Sequence, residues 1–173
     1  MRVGFGMWCV GLCLLFAGAT VAQGWTAYSP EGGRYRIDMP GTPKVNTAPI
    51  PVGPGQTAPM TEAEVRLGAV GYLASWVDYP ERIARAASAD LMLDRVRDGS
   101  AAGNTLRAEK KNLTLGRFPG REYVVVQANG TNTALRTYWV RGRLYQLMVT
   151  DGAGIEAQPD TRRFFDSFSL VTP

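Results

Sequence analysis

The sequence predicts an α+β fold, an antiparallel β-sheet of about six strands with helices packed on it. Several short segments alternate apolar and polar residues with a period of two, as half-buried strands do. The period changes to about 3.6 between Pro80 and Gly103, and four strand-like segments then follow with no helix between them. With 45% apolar and 20% charged residues among 173, the chain has the composition of one globular domain.

The N-terminal segment has the pattern of a secretory signal peptide over residues 1–22. Arg2 precedes an apolar stretch at 10–16, and small residues follow up to Ala22, after which we expect cleavage. An uncleaved anchor is the alternative, although the apolar stretch is shorter than the roughly 20 residues that span a bilayer. We therefore expect a periplasmic or secreted protein with one mature domain at 23–173 and no further membrane-spanning segment.

The two cysteines, Cys9 and Cys13, both lie inside this leader. The residues before them, Trp8 and Leu12, are too large for a bacterial lipoprotein cleavage site, which argues against a lipid anchor. The mature chain then contains neither cysteine nor histidine, so it lacks thiolate and imidazole metal ligands and the Ser/His and Cys/His catalytic pairs. No glycine-rich segment has the Lys-Ser or Lys-Thr of a phosphate loop. We predict a protein that is not an enzyme and has no catalytic residue, metal or cofactor.

The first elements of the mature chain are predicted from strand and turn patterns. Residues 25–29 and 34–39 read as an opening hairpin. Six of the eleven prolines lie at 40–60. Because each proline removes a backbone donor, we expect a long extended Pro-rich loop there rather than an interior strand or a helix. This loop is either a surface connection or a mobile segment that binds a partner.

The main helix is predicted after strands at 62–67 and 70–78. Ser88 is its expected N-cap, and Gly99 or Gly103 its expected end. An apolar stripe at positions i, i+3, i+4 and i+7 indicates the helix and consists of Ala89, Met92, Leu93 and Val96.

The second half of the chain is predicted to be a meander of four strands, at 105–115, 121–128, 132–140 and 143–150. The Asn129-Gly130 pair predicts a type I′ hairpin turn, because both residue types tolerate positive φ, and Arg141 and Gly142 mark the next turn. Pro159 can begin a closing helix. That helix is expected to direct three aromatic rings at the sheet, from Phe164, Phe165 and Phe168.

The segment 107–143 is strongly basic, with eight basic residues against only Glu109 and Glu122. If the strands pair as a meander, several arginines gather near strand ends and form a patch for an envelope protein or an anionic surface. A nucleic-acid partner is not expected of an exported protein, and a solvated rim around core aromatics is the structural alternative. The predicted binding residues are Arg117, Arg121, Arg136, Arg141 and Arg143.

Two other functions remain open from the sequence. One is a small-molecule carrier whose cavity is lined by aromatic residues. The other is a carboxylate-based hydrolase, because Glu62 and Glu64 share one face of a strand at roughly 6 to 7 Å, which is near the spacing of glycosidase carboxylates. Exposed alternation on an edge strand explains the same pair without chemistry. The predicted cavity residues are Trp76, Tyr123, Tyr138 and Trp139.

The mature chain resembles the PsbP-like family, which includes the bacterial DcrB-type envelope proteins. Matching pieces are the opening segment with its Met-Pro-Gly-Thr-Pro run, the Pro-Gly-Arg-Glu run at 119–122, the Tyr-Gln-Leu strand at 145–147 and the closing Arg-Phe-Phe-Asp-Ser-Phe at 163–168. These residues belong to turns and to the core. The resemblance implies an antiparallel sheet sandwiched by helices, an α/β/α sandwich, and an accessory, non-catalytic role through protein contacts. It implies no functional residue.

Overall fold

The computed structural model describes residues 24–171. The predicted signal peptide, at 1–22, lies outside them. The described strands are β1 (Thr26–Tyr28), β2 (Tyr35–Met39), β3 (Lys44–Gly53), β4 (Gln56–Leu67), β5 (Val70–Asp78), β6 (Thr105–Leu115), β7 (Phe118–Val126), β8 (Asn132–Val140), β9 (Arg143–Asp151) and β10 (Ser169–Leu170). The described helices are α1 (Glu81–Ala86), α2 (Ala89–Ala101) and α3 (Pro159–Asp166).

The predicted α+β class is confirmed, with seven strands in the main sheet instead of about six. Their order is β3-β4-β5-β9-β8-β7-β6, and every neighbouring pair is antiparallel. Each half of this sheet is a meander of strands that follow one another in the chain, and the β5–β9 pairing joins the two halves. A small second sheet has the order β1-β2-β10. No helix in the described part of the chain is long and apolar enough to cross a membrane.

One face of the main sheet, here called the α3 face, is covered by α3 and the small sheet. Its core is dense in aromatic rings that meet around Phe168. This ring stacks on Tyr138 at 5.6 Å with an interplanar angle of 3°, and it also contacts Tyr35 and Tyr145. Phe164 and Phe165 are buried beside them. The three phenylalanines therefore pack against the sheet as their spacing predicts.

The opposite face, here called the α2 face, is covered by α1 and α2. Met92 and Leu93 of α2 pack with Trp139, Leu144 and Val77 of the sheet. This is the stripe that the sequence predicted. The sheet thus has helices on both faces, and its interior strands are covered on both sides.

The N-cap of α2 is Ser88, whose hydroxyl accepts a hydrogen bond from the Leu91 amide at 3.2 Å. Replacing Ser88 with alanine is expected to lower the free energy of unfolding by about 1 kcal/mol, because an amide of the first turn loses its acceptor. Ser88→Asp keeps an acceptor and should retain most of the stability. Urea unfolding followed by circular dichroism measures both variants. An equal loss in the two variants would contradict the capping role.

The prediction of a Pro-rich loop at 40–60 is wrong. This segment forms most of the β3–β4 hairpin, in which Pro49 lies opposite Pro59. β3 is an edge strand of the main sheet. β5 pairs with β4 only between Met60 and Leu67, so residues 49–59 form a two-stranded extension, here called the hairpin arm.

The prediction of a type I′ turn at Asn129-Gly130 is also wrong. Only Gly130 of the pair has a positive φ, 85°. The Gly130 amide donates to the carbonyl of Gln127, and the Gln127 amide donates to the carbonyl of Thr131, so the connection is longer than two residues. The positive φ values that a type I′ turn needs occur instead at Arg141, 49°, and Gly142, 86°.

Candidate functional site

Two tight hairpin turns place a pair of arginines at one end of the main sheet. Leu115 pairs with Phe118, so Gly116 and Arg117 form the β6–β7 turn. Val140 pairs with Arg143, so Arg141 and Gly142 form the β8–β9 turn. Two features favour glycine at position 142. Its φ is positive, and a Cβ on it would lie 3.0 Å from the Ala84 side chain.

The two arginines lie near one aromatic ring, that of Phe118. The guanidinium carbon of Arg117 is 5.3 Å from the centroid of the Phe118 ring, and that of Arg141 is 5.9 Å from it. Both distances lie within the range of cation–π attraction. The half-buried Phe118 therefore holds two positive charges near each other.

These residues line a concave site of about 300 Å³, here called the arginine groove. Its charged residues come from four segments that are distant in the chain. Its apolar lining includes Phe118 and the end of the described chain at Leu170 and Val171. The full lining is Arg34, Asp78, Arg117, Phe118, Val140, Arg141, Arg143, Tyr145, Leu170 and Val171.

Arg143 forms the fixed base of the groove. It is 6% exposed and binds both carboxylate oxygens of Asp78, each at 2.6 Å. It also donates to the carbonyls of Gly32 and Gly33, at 2.7 and 2.9 Å. The two carbonyls tie the turn before β2 to the sheet, and this turn carries Arg34. A bidentate Arg–carboxylate pair has a defined geometry, so the base of the groove is preorganised.

The electrostatics of the groove remain positive after this pairing. Hydrogen bonds from Arg143 hold the pKa of Asp78 below its usual value against the opposing effect of burial, and the charges of Arg143 and Arg34 lower it further. Asp78 is therefore ionised at neutral pH and neutralises Arg143. Among residues 24–171, no carboxylate lies within 4.0 Å of the guanidinium groups of Arg34, Arg117 or Arg141. Three positive charges are left at the groove.

Only part of the predicted arginine patch gathers here. Arg117, Arg141 and Arg143 line the groove, whereas Arg121 and Arg136 are 5% and 7% exposed and lie elsewhere. Including these two in a surface patch was wrong, because each is buried and attaches a helix to the sheet. The prediction of a surface position is also wrong for Arg143, because this side chain is buried and its charge is paired with Asp78.

The two buried arginines lie on opposite faces of the sheet. On the α2 face, Arg121 binds Asp90 at 2.7 Å and Asp94 at 3.3 Å, both in α2. On the α3 face, Arg136 binds Glu122 at 2.6 Å and Asp166 of α3 at 2.8 Å. Both are structural ion pairs.

The predicted aromatic cavity does not exist as one site. Trp76 and Tyr138 pack in the α3-face core, while Tyr123 and Trp139 pack in two separate clusters on the α2 face. Burial raises the pKa of Tyr123 to about 12. Neighbouring residues of a strand point to opposite faces, so Tyr138 and Trp139 cannot line a common cavity.

The carboxylate pair of the hydrolase alternative also lacks a site. Glu62 and Glu64 lie on β4, which is an interior strand between β3 and β5, and not the edge strand expected. Glu64 binds Arg66 at 2.6 Å. Neither carboxylate lines the arginine groove or the two other cavities described for residues 24–171. This arrangement gives no support to glycosidase chemistry.

Sequence reasoning missed several residues of the groove, notably Arg34, Asp78 and Phe118. Arg34 follows the Gly32-Gly33 turn with a positive φ of 57°. A non-glycine residue with this φ is uncommon, but sequence does not reveal it. No group of three or more His, Cys, Asp and Glu residues within 24–171 could hold a metal ion.

The fold is similar to that of solved structures. The solution structure of the cyanobacterial PsbP protein CyanoP from Synechocystis sp. PCC 6803 matches with a TM-score of 0.54 and 14% identity, over 92% of this chain and 99% of that one. The chain has a PsbP-like fold. A Pseudomonas aeruginosa protein of unknown function, PA94, matches with a TM-score of 0.42 and 12% identity, over 86% of this chain and 97% of that one. No protein-family model and no curated protein sequence matches significantly.

Proposed function

We propose that this PsbP-like protein is an exported, non-catalytic binding protein of the bacterial cell envelope, of the DcrB type. In this proposal the arginine groove binds a segment of a partner protein that carries a carboxylate next to an apolar side chain. The single observation that supports it most is a set of three guanidinium groups around an apolar lining, those of Arg34, Arg117 and Arg141. None of them has a carboxylate partner within the described residues 24–171. The leader pattern at 1–22 supports export.

The chemistry of the groove favours a polypeptide with a carboxylate. A guanidinium presents a planar fork that matches a carboxylate in two parallel hydrogen bonds. Phe118, Val140 and Leu170 offer apolar surface beside the charges, which a neighbouring apolar side chain can cover. A concave site of about 300 Å³ lies at the lower end of the range for ligand pockets, and it suits one or two side chains better than a flat lipid surface.

The proposal is tested with the double variant Arg117→Gln, Arg141→Gln. The probe is a short blocked peptide in which one glutamate is followed by leucine, titrated while amide NMR shifts are recorded. We expect shifts confined to the groove, and we expect the double variant to weaken binding at least tenfold, since it removes about 1.4 kcal/mol or more of charge-assisted hydrogen bonding. High salt should weaken the wild-type binding as well.

The matched control is Lys44→Gln, Lys110→Gln, which removes the same charge from exposed positions outside the groove. It should bind the peptide like the wild type. Vesicles of phosphatidylglycerol and phosphatidylethanolamine are the second arm. If the arginine variant loses binding to vesicles while peptide binding is absent or unchanged, the partner is a membrane and the polypeptide assignment is wrong. If both double variants weakened peptide binding equally, the net charge of the protein and not the groove would account for the binding.

A further inference from the structure

A second concave site lies on the α2 face. It shares no lining residue with the arginine groove, although its Tyr79 and Leu144 adjoin Asp78 and Arg143 of the groove in the chain. It has a volume of about 430 Å³ and lies between the hairpin arm, α1 and α2. Most of its lining residues are apolar, whereas its polar side chains are those of Arg95, Ser100 and Gln146. The apolar residues include Ile50, Val52, Tyr79, Ile83, Val96 and Leu144. We call it the helix cleft. A concave site of this volume that combines apolar residues with a few polar groups is typical of small-molecule binding.

The walls of the helix cleft are set by close packing. A Cβ on Gly53 of the hairpin arm would lie 3.0 Å from Ile83 Cδ1, so the arm and α1 are in contact at this end. On the opposite side Gly99 of α2 lines the cleft, and a Cβ there would meet nothing within 4 Å. The free volume therefore lies against α2.

The main sheet forms the floor of the cleft, and one row of its residues there is polar. Gln146 of β9 lines it, and Gln146 pairs in register with Ser75 on one side and Thr137 on the other. Ser75 is 1% exposed and Thr137 is fully buried, and neither hydroxyl has a hydrogen-bond partner among residues 24–171. Neither residue lines the cleft, so Gln146 is the sheet residue that brings a polar group to it.

The rim of the cleft carries one charge. Arg95 of α2 is the only charged residue in the lining, and within residues 24–171 no carboxylate lies within 4.0 Å of its guanidinium group. A charge at the exposed end and an apolar wall define the order of groups along a ligand, a charged head followed by an apolar body.

We infer that the helix cleft binds a small apolar monocarboxylate, with its carboxylate at Arg95 and its apolar body against the arm and α2. The neutral amide of Gln146 favours an uncharged group at the floor, because an unpaired charge there would be desolvated. A volume of 430 Å³ equals that of about fourteen water molecules, which matches a ligand of about a dozen heavy atoms. Decanoate has this size and chemistry.

Decanoate is the probe, measured by calorimetric titration of the folded mature domain. We expect saturable binding of one molecule, and a change from octanoate to decanoate should strengthen it about tenfold, as expected for two buried methylenes. Arg95→Gln should weaken decanoate about tenfold and leave decanol unchanged. Arg82→Gln is the matched control, because Arg82 is exposed on α1 and does not line the cleft.

Gly99→Leu is the second variant, designed to fill the cleft without disturbing packing. Since its side chain enters open space and leucine favours helix more than glycine does, the variant should unfold at or above the wild-type temperature. It should abolish decanoate binding, whereas Ala86→Leu, which adds an exposed leucine on α1, should not. Absence of saturable binding, or binding that survives Gly99→Leu, overturns the inference. The Arg117→Gln, Arg141→Gln variant should bind decanoate normally, which separates this site from the proposed peptide site.

Discussion

Replacing Arg136 with methionine is expected to lower the free energy of unfolding by about 3 kcal/mol. The wild-type side chain lies under α3, where it binds Glu122 and Asp166 and its guanidinium carbon is 4.9 Å from the centroid of the Phe165 ring. The Glu122 carboxylate is only 16% exposed and would keep Arg162 alone, at 3.1 Å. Removing one member of a buried pair leaves the other charge desolvated. Equilibrium unfolding in urea at neutral pH measures the loss.

Arg136→Met should lower the free energy of unfolding by a smaller amount at acid pH than at neutral pH. Burial alone raises the pKa of Glu122, but hydrogen bonds and charge from Arg136 and Arg162 outweigh it, and the pKa lies below its ordinary value of 4.5. A lowered folded pKa contributes stability above the unfolded pKa, and this contribution disappears as pH falls through the folded pKa. Because the variant lacks Arg136, it has less of this contribution to lose. The difference from wild type should therefore shrink below about pH 4.

The control for Arg136→Met is Arg162→Gln, which removes the exposed partner of the same carboxylate. It should cost less than about 1 kcal/mol, as exposed ion pairs do. Equal costs for the two variants, or a loss for Arg136→Met that grows towards acid pH, would show that Glu122 does not depend on the buried arginine.

Gly120→Ala is expected to destabilise the protein by about 3 kcal/mol for a steric reason. A Cβ at this position in β7 would lie 2.6 Å from Tyr138 Cδ1 and 2.7 Å from the carbonyl oxygen of Thr137. The ring could move, but the carbonyl belongs to the backbone of the paired strand β8. Relief thus requires displacement of an interior strand, which is a severe case of overpacking. Thermal and urea unfolding report the effect.

Gly99→Ala is the matched substitution, and we expect it to raise the stability that Gly120→Ala lowers. In α2 the added methyl meets nothing within 4 Å, and alanine favours helix over glycine by about 0.5 to 1 kcal/mol. The variant should be slightly more stable than wild type. If Gly120→Ala were tolerated as well as Gly99→Ala, the close approach of β7 and β8 would be wrong.

Segments whose pattern is set by local packing were predicted closely from sequence. The strands at 70–78, 105–115 and 132–140 have the bounds that alternation and turn residues indicated, and Ser88 caps α2 as expected. The start of β7 at Phe118 was placed three residues late, because Pro119 and Gly120 are residues that usually break strands. Here Pro119 pairs only with the edge strand β6, because the pairing of β7 with β8 begins at Gly120.

The hairpin arm was missed because prolines exclude a strand only where both edges must be paired. Pro49 and Pro51 lie on an edge strand, and Pro59 lies beyond the last residue of β4 that pairs with β5. Their missing donors therefore cost few ladder hydrogen bonds. The sequence shows where the prolines are, but it does not show that the pairing of β5 with β4 ends at Met60.

Only three of the five predicted arginines line one groove, because residues that are close in the sequence need not be close in space. The basic segment 107–143 finds its carboxylates mainly outside itself, and Asp78, Asp90 and Asp166 each neutralise one of its buried arginines. Two arginines of the segment, Arg117 and Arg141, have no carboxylate within 4.0 Å in the described part of the chain, and both lie at hairpin turns. Turn position could have been read from sequence, whereas the distant ion pairs could not.

The pairing of β5 with β9 also determines when the arginine groove can exist. Asp78 and Arg143 lie 65 residues apart, and closing a loop of that length costs about 4 kcal/mol in chain entropy. The contacts within each meander, by contrast, are local and can form early in folding. Asp78 belongs to one meander half, Arg117 and Arg141 belong to the other, and Arg34 lies in the turn before β2 of the small sheet. The groove therefore arises only after these three parts have docked. The binding that we propose for the groove would therefore require the completed fold.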